Sequence, residues 1–82
     1  MGQVRILDVR DLEPPAPLRL VLAEIGRLEP GTSLLMRHRR EPLPLYPMLD
    51  ELGFDHRSST AADGTVEVLI WRQGRADPTV ST

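Results

Sequence analysis

The chain has 82 residues, no cysteine and a net charge of −2, with 12 acidic residues against 10 basic ones. That length allows one domain around one core, and the missing thiols exclude disulfide staples, cysteine-held zinc and a sulfur nucleophile. The acidic balance argues against general nucleic-acid affinity, and no apolar run reaches the roughly 20 residues of a membrane span. Met1-Gly2-Gln3 leads into a strand-like run without an apolar leader, so the expected compartment is the cytoplasm.

Val4 to Val9 is rich in β-branched residues and reads as a first strand. Leu12-Glu13-Pro14-Pro15-Ala16-Pro17 breaks it, and Pro17 suits the first position of a helix, where a missing N–H is no loss. Leu18, Val21, Leu22, Ile25 and Leu28 then recur at helical spacing, with Arg19, Glu24 and Arg27 opposite; Glu29-Pro30-Gly31 ends the helix. Thr32 to Met36 is a second strand opening into the cluster Arg37-His38-Arg39-Arg40. Pro44 and Pro47 fit the first turn of a second helix, Pro44 to Leu52, because the N–H groups there have no intrahelical partner; Gly53 suits its C′ position. Phe54 to Thr60 is a polar edge strand, and Ala62-Asp63-Gly64 signals a hairpin. In the last strand, Thr65 to Arg72, Val66, Val68 and Ile70 face one way and Glu67, Leu69 and Trp71 the other. The expected ordered core is about 3–73, with 74–82 read as a flexible tail of the same single domain, 1–82.

The order β-α-β-α-β-β defines an α/β (α+β) two-layer sandwich, with two helices on one face of a four-stranded mixed sheet. The face without helices is expected to expose Leu69 and Trp71 as an apolar strip suited to a partner.

The segment Leu7 to Leu18, with Pro30-Gly31 after the first helix, resembles the small sulfur carriers of the TusA/SirA-like superfamily. Those proteins place a Cys-Pro-x-Pro motif at the head of the first helix, and the likeness runs from Val4 to Arg72. The chain looks closer still to an uncharacterised branch with Pro-Pro-x-Pro in that place and a Pro-Leu-Pro-Leu-Tyr-like segment, here Pro42 to Tyr46. The carrier's cysteine falls at Pro14, which offers no nucleophile, so the resemblance implies the scaffold without its sulfur-transfer chemistry. That branch is often associated with redox and nitrogen-oxide metabolism, which makes such proteins conceivable partners.

Two segments are candidate sites. Pro14, Pro15 and Pro17 form either a rigid helix cap or a proline-rich surface for a partner; as an anion site they lack the N–H groups of Pro15 and Pro17. Arg37, His38, Arg39 and Arg40, with Tyr46 on the following helix, sit at the carboxyl end of a strand, where α/β sheets place ligands. His38 and His56 have no chelating spacing, so neither a metal nor another cofactor is expected. Ser58-Ser59-Thr60 reads as edge protection rather than as nucleophiles. The leading expectation is a non-catalytic interaction or regulatory domain with a protein partner and no membrane role. The alternative is a small-anion or metal-binding accessory protein using the Arg37–Tyr46 region. Single-stranded RNA binding ranks last, because it wants basic residues and aromatics together on one surface, and here the aromatics number three and the net charge is negative.

Overall fold

The computed structural model describes residues 3–74. Its elements are β1 (Gln3–Asp8), α1 (Ala16–Ile25), β2 (Thr32–His38), α2 (Leu45–Leu52), β3 (Phe54–Thr60) and β4 (Val66–Arg72). The strands form one sheet in the order β1-β2-β4-β3. β1 and β2 are parallel neighbours joined through α1, whereas β4 pairs antiparallel with both β2 and β3. The closing hairpin therefore inserts its second strand between β2 and β3. This leaves polar β3 at the edge, where Arg57, Ser58, Ser59 and Thr60 are exposed.

The core lies between the helices and one face of the sheet. Val21 and Ile25 on α1, and Leu45 and Leu49 on α2, meet Leu34 and Met36 of β2 and Val68 and Ile70 of β4. Each is at most 1 % exposed, and burying a side chain of this size contributes about 1.5–3 kcal/mol before entropy is counted. Gly53 ends α2 at φ +85°, the left-handed conformation that spares the helix carbonyls a β-carbon, and its N–H donates to the Asp50 carbonyl.

Three expectations are corrected. β2 does not stop at Met36 but runs on through Arg37 and His38, because Arg37 pairs with Glu67 and His38 with Val66 on β4. Both helices differ by one residue at their heads: α1 begins at Ala16, with Pro17 in its first turn, and α2 begins at Leu45 behind Pro44. Most consequential is the open sheet face, where Leu69 and Trp71 are only 7 % and 8 % exposed. On that face Leu69 lies between Leu35 of β2 and Arg57 of β3, and Trp71 lies beside Asp55, so side chains of the two flanking strands crowd the middle of the sheet. The exposed apolar side chains of the sheet are instead Val4 (52 %) and Ile6 (67 %), on edge strand β1. The tail read from residue 74 onward falls, after Gly74, outside the described residues.

Candidate functional site

Alternation along β2 divides the arginine cluster between two faces. Leu34, Met36 and His38 share the helix side, so His38 lies where the strand runs out beyond the core. Arg37 faces the opposite side, its Nε 3.3 Å from Glu67 Oε2 and its strand neighbour Asp8 bound by Arg10. Arg10 donates to both oxygens of Asp8, at 2.9 and 2.7 Å, and holds that carboxyl down at about 2. Arg37 is thus part of a surface charge lattice and not of a site with His38.

The helix side carries a groove of about 350 Å³ at the heads of both helices. One wall is Pro14, Pro15 and Pro17, and the facing wall is Pro42 and Pro44. Leu18, Met36 and Leu45 form an apolar floor, while His38, Arg40 and Glu41 supply the polar groups. The two candidate segments read from the sequence thus become the walls of a single feature. β1 and β2 are parallel, so the loops leaving their carboxyl ends emerge side by side. The loops are tied together: the Val9 N–H donates to the Arg37 carbonyl at 2.9 Å, and Arg39 reaches the Leu12 carbonyl at 3.5 Å and Glu13 at 4.0 Å.

The polar groups of the groove differ sharply in how well they are already satisfied. Glu41 Oε1 accepts two hydrogen bonds, from the Tyr46 hydroxyl at 2.7 Å and from Ser58 Oγ at 3.0 Å. His38 Nδ1 accepts the Arg40 backbone N–H at 3.0 Å, which leaves the neutral ring's proton on Nε2. Burial, then the charges of Arg39 and Arg40, push the His38 pKa below its ordinary value. The Arg40 guanidinium is exposed and has no ion pair or hydrogen bond among the described residues.

Tyr46 does not join the arginines. Its ring stacks on His56, with centroids 4.4 Å apart and planes 13° from parallel, and its hydroxyl is committed to Glu41. Burial first, and the bond to Glu41 second, raise its pKa to about 12. His56 Nε2 also approaches Asp50 at 3.7 Å, and Ser58 braces Glu41 rather than merely guarding an edge. Among the described residues, no three of His, Asp and Glu gather into a set able to hold a metal ion. The helix heads offer little to an anion, because the N–H groups of Ala16, Leu45 and Tyr46 already donate to the carbonyls of Glu13, Pro42 and Leu43. No helix among the described residues is long and apolar enough to cross a membrane.

Sequence reasoning missed Met36, Leu18 and Pro42 as groove residues, and Glu41 as the acceptor that binds α2 to β3. The shared parity of Met36 and His38 was the available signal; the inward turn of Pro42 and Glu41 has none in the sequence.

The sequence matches the model of a family described as uncharacterised conserved protein DUF2249 over residues 6–72, which is most of the chain. The chain belongs to that family. Its fold is SirA/TusA-like: a crystal structure of a SirA-like protein from Desulfitobacterium hafniense superposes with a TM-score of 0.73. The two are 16 % identical, and the match covers 89 % of this chain and 100 % of the other. No curated protein matches the sequence.

Proposed function

We propose that this chain is a non-catalytic docking domain that binds a partner protein through the groove at the heads of α1 and α2. It belongs, in this reading, to a branch that bears Pro-Pro-x-Pro at the carrier motif and works in the cytoplasm. The observation that carries the reading is the groove itself, an apolar floor between two proline walls. Proline side chains and their backbone lose little freedom on binding, so such walls are pre-organised for a partner. The same residues are poor chemistry: the chain has no cysteine, and the polar groups of the groove include no nucleophile with a base beside it.

The test is affinity capture from the native host with two variants. Pro44→Trp fills the groove, and Ile6→Ser alters the open face of the sheet; circular dichroism confirms that both fold. Partners retained by Ile6→Ser and lost by Pro44→Trp support groove docking. Partners lost by Ile6→Ser and retained by Pro44→Trp move the interface to the sheet and refute it.

A further inference from the structure

We infer that the occupant of the groove is an acidic peptide segment of the partner, with an aliphatic side chain beside an aspartate or glutamate. The inference rests on the docking reading above and adds the chemistry of what docks. The aliphatic half follows from the floor of Leu18, Met36 and Leu45, which a polar ligand would desolvate itself to reach. The acidic half follows from the unequal satisfaction of the charges around that floor. Glu41 is engaged at one oxygen by Tyr46 and Ser58, and it makes no ion pair with Arg40. Arg40, its neighbour at the groove, has a guanidinium with five donors and no acceptor among the described residues. His38 contributes the Nε2 proton that its Nδ1 bond to Arg40 leaves there. The groove is therefore apolar inside with an Arg40 guanidinium that has no acceptor among the described residues, and a carboxylate supplies it with a charge-assisted bond.

Two features favour a peptide over a free anion. An inorganic anion needs several converging donors, and at the helix heads the N–H groups of Ala16, Leu45 and Tyr46 are already paired while Pro17 and Pro47 have none. Leu43 stands between the two walling prolines Pro42 and Pro44 and is 66 % exposed, so apolar surface continues beyond the groove. A chain segment covers both the groove and Leu43, whereas a small free acid fills only the first.

The experiment is selection of a displayed random-peptide library on the folded protein, repeated on Arg40→Ala and Pro44→Trp. Selected sequences on the wild type are expected to pair Asp or Glu with a neighbouring Leu, Ile or Val. A synthetic peptide from that pool should bind Arg40→Ala about tenfold or more weakly, as expected for loss of one charge-assisted hydrogen bond. It should not bind Pro44→Trp. Peptides that depend on Pro44 but lack an acidic residue, or ignore Arg40→Ala, overturn the acidic segment and leave groove docking standing. Absence of any Pro44-dependent peptide overturns both. Octanoate serves as the free carboxylic acid: if it occupies the groove while no peptide is selected, the occupant is a small acid and the inference is wrong.

Discussion

Tyr46 offers a direct test of the hydrogen bond that engages Glu41 beside the unpaired Arg40. With no cysteine and no lysine in the chain, its phenol is the only side chain expected to lose a proton between neutrality and strongly alkaline pH, since arginine stays charged. It is also the sole tyrosine, so tyrosinate absorbance reports this one group. Burial and the bond to Glu41 raise its pKa from 10.0 to about 12. The native phenol thus holds its proton between pH 10 and pH 12 while the unfolded chain has released it. Stability must accordingly fall as pH rises through that window, because the unfolded state there binds fewer protons. Replacing Glu41 with Gln keeps an acceptor but removes the negative charge, so the midpoint should drop while remaining above 10, held up by burial. The assay is absorbance titration of wild type and Glu41→Gln, with urea unfolding at pH 8 and pH 11 (about three units apart) to check the linkage. A wild-type midpoint near 10, or one that Glu41→Gln leaves unmoved, would show that Glu41 is not engaged by Tyr46. The contrast between an engaged Glu41 and an unpaired Arg40 would then collapse.

Further outcomes follow from the packing and the surface charges. Leu49→Ala, at a fully buried position where α2 meets the sheet, should cost about 2–5 kcal/mol in urea unfolding. Gly53→Ala should cost about 1–2 kcal/mol from its left-handed backbone alone, since no atom lies within 4 Å of the added methyl. In acid, Asp8 favours the folded state above its ordinary pKa of 3.8 and loses that contribution as pH falls toward about 2. His38, whose pKa is also depressed, adds a loss that begins below 6.5; Asp8→Asn should flatten only the lower part of the acid unfolding curve. Arg40→Ala should change stability by no more than about 0.5 kcal/mol, because the guanidinium contacts nothing that folding uses.

The fold was legible where local pattern and tertiary packing agree. The period of Val21 and Ile25 and the alternation of Val66, Val68 and Ile70 have one reading each, and they mark the helix and sheet faces that meet in the core. Strand order was less legible. A hairpin signal at Ala62 to Gly64 says that β3 and β4 pair, but not that β4 goes to the middle, which depends on which strand has two apolar faces. The mistaken exposure of Leu69 and Trp71 came from the same gap. The site was half legible: Pro14, Pro15 and Pro17, and His38 and Arg40, were each singled out as separate candidates. Their union into one groove needs the parallel pairing of β1 with β2, a contact between residues about 30 positions apart that no local pattern encodes. Arg37 and Tyr46 were grouped with the cluster by nearness in sequence, and strand alternation and the Glu41 bond separate them from it.

The central claim is that partners dock at the heads of the helices, and chemical-shift mapping of the ¹⁵N-labelled protein with a library-selected peptide tests it most directly. The account predicts shifts concentrated at Leu18, Met36, His38, Arg40 and Leu45, with those of Val4, Ile6 and Leu35 unmoved. Shifts centred on Val4, Ile6 and Leu35 instead would place docking on the open sheet and contradict it.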